Sequence, residues 1–171
     1  PWLPWMHGGS QERRRRGGTL NVPGIIGLAK AMELSQQEMD DHRKHFIKLR
    51  KQLINGLDES FGDRYQINGD PENGVPHIIN IAFLDPAGEG LDSEMLLLNL
   101  DVEGICVSNG SACTSGATEP SHVLEGIGLD QQVANSSIRV SLGKQNTLEE
   151  IDYFLEKLKV VVERMMDSVK A

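Results

Sequence analysis

The feature that most constrains the fold is one long apolar stripe close to the end of the sequence. Its members recur three and four residues apart, as on one face of an α-helix: Leu148, Ile151, Leu155, Leu158, Val162 and Met165. Thr147 and Glu150 form a capping box just before the stripe, which predicts that the helix begins there. Because such a stripe must be buried, a second layer of structure has to pack against it.

Shorter elements earlier in the chain supply that layer. Four short segments with strand-like composition or alternation predict strands: Tyr65–Asn68, Ile78–Phe83, Ile105–Ser108 and Ser137–Leu142. A first helix is predicted from Val22 to about Ser60, with one or two breaks, and Gly62 and Asp63 end it. A second is predicted from Asp92 or Ser93 through Leu100. A third is predicted from Pro120 or Ser121 to near Gly126 or Gly128. The order of these elements predicts an α+β domain over residues 21–171, with helices packed on a small, mainly antiparallel sheet, preceded by an extended segment over residues 1–20.

Composition narrows the classes of partner. The net charge is -8, which argues against nucleic acid because phosphate binding requires a basic surface. The arginine run 13–16 alone is typical of a nucleic-acid or nuclear-import patch, but no basic or aromatic residues nearby extend it. No apolar run reaches the ~20 residues that span a bilayer, and the first residues lack the apolar core of a signal peptide. We therefore expect a cytoplasmic protein that binds neither nucleic acid nor membrane.

The two cysteines, Cys106 and Cys113, are too few for a disulfide framework or for a zinc site built from cysteines alone. Their spacing also differs from the C-x-x-C redox motif, and the five histidines lack the spacing of metal ligands. We expect no metal site, and any cysteine chemistry is expected to be that of a single thiol.

Residues 108–118, with the sequence SNGSACTSGAT, contain no side chain larger than asparagine. Such a segment cannot contribute to a core, so it is predicted to be a mobile surface loop. Cys113 is its only reactive side chain, and small neighbours leave a thiol accessible to a partner. An ordinary loop with an incidental cysteine has the same composition, so composition alone leaves both interpretations open. Cys106, in the predicted strand before the loop, is interpreted as a small core residue.

Four motifs in fixed order give these segments a family resemblance. The sequence resembles the cysteine desulfurases, the NifS and IscS group of class V aminotransferase-like enzymes, in four segments that follow the family's order: HGGSQERRRRGGTLNVPGIIGLAKA, INGDPENGVPHIINIAF, SNGSACTSGATEPSHVLEGIGL and SSIRVSLGKQNTLEEID. The resemblance runs from about Met6 to the last residue. It implies the small C-terminal domain of the type I pyridoxal-phosphate enzymes, which is an α+β fold.

The resemblance also implies roles for residues near the loop. Cys113 occupies the position of the nucleophile that takes sulfur from L-cysteine as a persulfide while L-alanine leaves. Arg139 occupies the position of the arginine that binds the substrate carboxylate. Strand alternation independently places Arg139 on the face opposite Ile138 and Val140, where a bidentate clamp on a carboxylate can form. A structural salt bridge is the alternative role for this arginine.

The first motif implies a contact with the cofactor. Thr19 matches the threonine that reaches the cofactor phosphate of the neighbouring subunit in these homodimeric enzymes. Gly17 and Gly18 would let backbone amides approach an anion, and Arg16 would add positive charge. A plain glycine-rich turn is the alternative interpretation.

The chain lacks the family's cofactor lysine in its Ser-x-His-Lys context. The lysines present are Lys30, Lys44, Lys48, Lys51, Lys144, Lys157, Lys159 and Lys170. We therefore expect that this chain alone neither binds pyridoxal phosphate nor desulfurates cysteine. Three hypotheses stay open: part of a desulfurase that hands sulfur to an acceptor or iron–sulfur scaffold protein, a non-catalytic persulfide relay or interaction module, or part of a selenocysteine lyase.

Overall fold

The structure, a computed structural model, describes residues 3–85, 88–109 and 121–169. The chain forms two compact units, Pro1–Asp40 and Asp41–Ala171. The helices are α1 (Gln11–Arg14), α2 (Val22–Phe61), α3 (Ser93–Val102), α4 (His122–Gly126), α5 (Gln131–Asn135) and α6 (Leu148–Val169), and the strands are β1 (Tyr65–Asn68), β2 (Ile78–Phe83) and β3 (Ser137–Ser141). None of the helices in the described residues is long and apolar enough to cross a membrane.

The three strands found in the described residues form one antiparallel sheet in the order β1-β2-β3, which confirms the predicted α+β class. The bounds of β1 and β2 agree with the predicted ones, and β3 ends one residue earlier than predicted. Alternation along β3 is also confirmed, because Ile138 and Val140 are buried whereas Arg139 and Ser141 are exposed. The sheet therefore has one apolar and one polar face.

The apolar face of the sheet packs against helices to form the core of the 41–171 unit. The fully buried core residues on β2 and β3 include Ile79, Ile81, Phe83 and Ile138. Those on the helices include Leu49, Leu53, Leu57, Leu96, Leu100, Leu158 and Val162. The rings of Phe61 and Phe83 meet edge to face with centroids 5.2 Å apart. The helices and the sheet thus share a single apolar interior.

The predicted capping box begins α6. The Thr147 amide donates to Glu150 Oε2 at 3.1 Å, and the Glu150 amide donates to Thr147 Oγ1 at 3.3 Å. Hydrogen bonds from the Asn146 side chain and then from the Thr147 backbone lower the pKa of Glu150 below its usual value. The capping box therefore also fixes Glu150 as an anion in the first turn, where the helix dipole favours negative charge.

Helix α2 is continuous, so the predicted breaks are wrong. Pro23 lies in its first turn, where the missing amide proton costs no helical hydrogen bond. Gly24 and Gly27 lie within the helix and are accommodated. The helix ends at Phe61, and Gly62 adopts a positive φ of 55° at the point where the sequence predicts the end.

Arg50 is a buried cation on α2, with 9% of its surface exposed. Its Nη1 donates to the carbonyl of Ile78 at 3.2 Å, and its Nη2 donates to the carbonyl of Pro71 at 3.3 Å. These bonds hold the start of β2 and the preceding loop against the helix.

The predicted strand Ile105–Ser108 does not form. The Ile105 amide donates to the carbonyl of Leu100 at 2.9 Å and so closes the end of α3, which leaves only Ser108 to pair with a strand. Helix α5 was not predicted from the sequence, because a single polar turn carries no apolar period. It begins at Asp130, whose carboxylate accepts from the Gln132 amide at 2.8 Å.

Candidate active site

Arg139 lies on the polar face of the sheet, at the centre of β3. Its side chain is exposed, and its guanidinium makes no hydrogen bond or ion pair with any residue in the ranges 3–85, 88–109 and 121–169. The structural salt bridge that was the alternative role is therefore not formed among these residues. An unpaired guanidinium at a fixed strand position offers five N–H donors to an anion.

The polar face around Arg139 carries neutral side chains. Asn68 on β1, Asn80 on β2 and Arg139 on β3 form one in-register row across the three strands. The remaining strand residues on this face are Gln66, Ile78, Ala82, Ser137 and Ser141. Because none of these strand residues is acidic, an anion that approaches Arg139 along this face meets no like charge from the strands.

Hydrogen bonds fix the amides of this face. Asn68 Nδ2 donates to Asn80 Oδ1 at 2.6 Å and to Ser137 Oγ at 2.8 Å. Asn68 Oδ1 accepts from Gln66 Nε2 at 3.1 Å, and Ser137 Oγ donates to the carbonyl of Val133 at 2.6 Å. The network runs from β1 to β3 and stops beside Arg139. Sequence reasoning missed the two asparagines, although the alternation of β2 places Asn80 on the face of Arg139.

Ser108, the first residue of the predicted loop, is tied to the backbone of Arg139. The Arg139 amide donates to the Ser108 carbonyl at 2.5 Å, and the Ser108 amide donates to the Arg139 carbonyl at 3.2 Å. The segment that leads to Cys113 therefore starts directly beside the candidate carboxylate-binding residue. Cys113 itself, with the rest of residues 110–120, lies outside the described residues, and its assignment stays a prediction.

Cys106 is exposed, so its interpretation as a small core residue is wrong. The failed strand explains the error, since Ile105 closes α3 and the chain at residues 105–107 forms no strand pairing that would turn Cys106 inward. In the described ranges, no group of three or more histidine, cysteine or acidic side chains is arranged to hold a metal ion.

In the Pro1–Asp40 unit, the segment around Thr19 forms its own hydrogen bonds. The Gly17 amide donates to the Met6 carbonyl at 2.9 Å, and the Gly18 amide donates to Gln11 Oε1 at 3.3 Å. Arg16 Nη1 donates to the carbonyl of Thr19 at 3.3 Å. Both glycine amides are thus engaged within the segment, whereas the exposed Thr19 hydroxyl has no partner among the described residues.

Gly18 has a φ of 93°, a backbone conformation that favours glycine and that directs the chain toward Thr19. Among the described residues, the Thr19 hydroxyl is therefore the donor of this segment that remains for an anion such as a phosphate, and Gly18 contributes conformation rather than a free amide. Among the described lysines, Lys157 is half-buried and forms an ion pair with Glu103, with its Nζ 3.5 Å from Glu103 Oε2. The other described lysines are exposed.

The aminotransferase class-V family model matches residues 6–154. The chain belongs to the class-V aminotransferases. Among similar curated proteins, the cysteine desulfurase IscS of Methanosarcina thermophila is 42% identical over 162 residues, which is 95% of this chain and 38% of that protein. The cysteine desulfurase IscS of Dictyoglomus turgidum is 43% identical over 162 residues, with 95% of this chain and 40% of that protein covered.

Solved structures agree with this membership. A NifS-like protein superposes with a TM-score of 0.74 at 38% identity, over 94% of this chain and 39% of its own. A NifS-like protein from Rickettsia africae gives the same TM-score at 29% identity, over 94% of this chain and 40% of its own. The predicted fold, a small domain of this class of enzymes, is confirmed, and the chain spans about 40% of the length of these relatives.

Proposed function

We propose that this class-V aminotransferase chain is the C-terminal part of a cysteine desulfurase, which converts L-cysteine to L-alanine and carries the sulfur as a persulfide on Cys113. The observation that supports this most is that two features meet at Arg139 on β3. Arg139 presents a guanidinium that has no partner in the described ranges, on a face whose other strand residues are neutral. Ser108, where the Cys113 segment begins, is hydrogen-bonded to its backbone.

In this proposal Arg139 binds the carboxylate of L-cysteine. A guanidinium and a carboxylate match as two parallel N–H···O bonds, which fix both the position and the orientation of the amino acid. The strand supports such a clamp, because the backbone of Arg139 is paired on both sides, with Asn80 in β2 and with Ser108. The substrate is thereby held at a defined distance from the start of the loop.

Cys113 then accepts the sulfur. Its thiolate attacks the sulfur of L-cysteine, an S–S bond forms as the C–S bond breaks, and the electron pair of the broken bond stays on the carbon skeleton. That carbon takes up a proton and leaves as L-alanine, while Cys113 keeps the second sulfur as a persulfide. Four residues lie between Ser108 and Cys113, so the chain limits the distance between the Cα atoms of these two residues to about 18 Å.

Pyridoxal phosphate, when bound, supplies the electron sink that weakens the bond to sulfur. We propose that the Thr19 hydroxyl donates to the cofactor phosphate of a neighbouring subunit, with Gly18 setting the backbone that presents it. A homodimer of the complete enzyme follows from this arrangement. The persulfide is then passed to a sulfur acceptor, such as an iron–sulfur scaffold protein.

A chimeric enzyme tests this function. Residues 6–171 of this chain replace the matching segment of the Methanosarcina thermophila relative, which is 42% identical over nearly the whole chain. With L-cysteine and dithiothreitol, the chimera is expected to release sulfide and alanine in equal amounts. Cys113→Ala is expected to lower the rate by at least roughly 100-fold, because the nucleophile is lost.

Cys106→Ala is the matched control, since it removes an exposed thiol of the same chain. It is expected to keep at least about half of the activity, because surface substitutions of this kind rarely matter. Before dithiothreitol is added, mass spectrometry should find one extra sulfur atom on Cys113 and none on Cys106. Equal activity of Cys113→Ala and the parent chimera would show that the nucleophile assignment is wrong.

A further inference from the structure

The side chain of Asn80 is held in one orientation by its neighbour on β1. Its Oδ1 accepts a hydrogen bond of 2.6 Å from Asn68 Nδ2, and Asn68 is itself fixed by Gln66 and Ser137. Rotating the Asn80 amide by 180° would place two N–H groups against each other and break this bond. The chain therefore determines which way the amide points.

That orientation turns the NH2 group of Asn80 away from β1. The residue directly opposite Asn80 on the other side is Arg139, and side chains so paired have Cβ atoms about 4.5–5.5 Å apart. Asn80 is half-buried, and its Nδ2 has no acceptor in the described part of the chain. A neutral donor and a cationic donor thus lie side by side on this face, and neither has an acceptor among the residues that the structure describes.

A carboxylate satisfies both donors at once. Each of its oxygens has two lone pairs, and a bidentate bond with a guanidinium uses one on each oxygen. A further lone pair remains for an N–H group beside the guanidinium. Among the described residues no acceptor is bonded to either donor, and the strand residues of this face carry no acidic side chain, so a bound carboxylate can accept from both.

We infer that Asn80 is a second carboxylate-binding residue: its Nδ2 donates to the carboxylate that Arg139 holds, and Asn68 is the positioning residue that fixes the amide. This inference rests on the proposed function and extends it, because it assigns the row Asn68–Asn80–Arg139 to recognition of the amino-acid carboxylate. The neutral amide adds a directional bond without adding a charge that must itself be desolvated.

Titration of the 171-residue chain with L-alanine, followed by nuclear magnetic resonance, tests the inference without the cofactor. The side-chain signals of Asn80 Nδ2 and Arg139 Nε are expected to shift along one common binding curve. Because this measurement uses the unchanged chain, it does not depend on whether a variant folds. Asn68→Ala is expected to bring the two Asn80 N–H signals closer together, since the amide loses its fixed partner, while Arg139 still responds to L-alanine.

Substitutions at Asn80 measure how much its side chain contributes to the binding of L-alanine. Asn80→Asp is expected to weaken L-alanine binding by at least about tenfold, and Asn80→Ala by about fivefold, because a bond to a charged acceptor is lost. Asn55→Asp is the matched control, since it makes the same change of charge at an exposed position on α2. Its dissociation constant is expected to stay within about twofold of that of the unchanged chain.

The outcomes separate the two proposals. The role of Asn80 is overturned if L-alanine shifts the Arg139 signal but not the Asn80 signal. It is also overturned if Asn55→Asp weakens L-alanine binding as much as Asn80→Asp does. In both cases Arg139 remains the carboxylate-binding residue. No shift of either signal at saturating L-alanine overturns both carboxylate-binding assignments.

Discussion

At the scale of single residues, Tyr65 shows how burial and a charged neighbour act on one hydroxyl. Its hydroxyl donates to Asp58 Oδ1 at 2.5 Å, and this bond joins the first residue of β1 to the last turns of α2. Burial, followed by the hydrogen bond to Asp58 and the charge of that carboxylate, raises the pKa of Tyr65 well above its usual value.

This shift predicts a loss of stability in alkaline solution. The unfolded chain releases the Tyr65 proton near pH 10, whereas the folded chain holds it to higher pH. The contribution of the Tyr65 hydroxyl to the free energy of unfolding is therefore complete below about pH 10. It is lost as the pH rises through the higher pKa of the folded chain. Urea unfolding at pH 8, 10 and 11 should show a falling midpoint that is less steep in Tyr65→Phe.

Tyr153→Phe is the control for this measurement. The Tyr153 hydroxyl donates to the carbonyl of Glu103, so its removal also costs a hydrogen bond but leaves the Tyr65–Asp58 pair intact. The variant should retain the full alkaline decline. An identical pH profile for Tyr65→Phe and the unchanged chain would contradict the assignment to Tyr65.

The sequence predicts the position of Arg139 but not its neighbours. Alternation alone places Arg139 on the polar face, because a strand has a period of two. Asn80 was not recognised, since its role depends on which residue lies opposite it, and strand register is set by pairing between distant segments. Cys106 was wrongly placed in the core for a related reason, because the end of α3 takes the amide that a strand would use.

At the scale of elements, the most accurate predictions come from local chemistry. The capping box of α6 uses contacts within four residues, and β1 and β2 are bounded by turn residues close in sequence. The unbroken course of α2 was not predicted, because glycine in a helix has either a tolerated or a disruptive effect according to its surroundings.

Two glycines of α2 are expected to respond to alanine in opposite directions. A Cβ added at Gly27 would meet nothing within 4 Å, whereas one at Gly56 would collide with the side chain of Leu155 on α6. Gly27→Ala should stabilise the chain by about 0.5–1 kcal/mol through helix propensity. Gly56→Ala should destabilise it by about 1 kcal/mol, because the cost of overpacking against Leu155 is larger than the gain in helix propensity.

Chemical unfolding of the two variants side by side checks this contrast, and each serves as the control for the other. Stabilisation by both substitutions would mean that Leu155 moves aside without cost. In that case Gly56 would not be required for the approach of α6 to α2.

At the scale of the whole molecule, the Pro1–Asp40 unit presents an uncovered apolar surface. Several large apolar side chains of α2 are mostly exposed: Ile25, Ile26, Leu28 and Met32, the last two at 63% and 64%. Contiguous apolar surface of this kind marks an interface. The relatives are more than twice as long as the matched segment, and we propose that the additional sequence in such proteins covers the corresponding surface.

The isolated chain is therefore expected to self-associate. Sedimentation velocity should show a mass that rises with concentration, and Leu28→Lys combined with Met32→Lys should shift the chain toward the monomer, because the apolar driving force is reduced. Gln36→Lys with Gln37→Lys is the control, since it adds the same charge at exposed polar positions of the same helix. Equal dissociation by both pairs would indicate charge repulsion rather than loss of an apolar contact.

The paired backbones of Ser108 and Arg139 have a consequence for how such enzymes diversify. If Cys113 carries the sulfur and Arg139 binds the amino acid, as proposed, insertions or deletions after Ser108 would change the length of chain between these two residues. Ser108 itself would stay hydrogen-bonded to the backbone of Arg139. On the proposed function, the choice of sulfur acceptor could therefore vary with loop length while the carboxylate-binding strand stays the same.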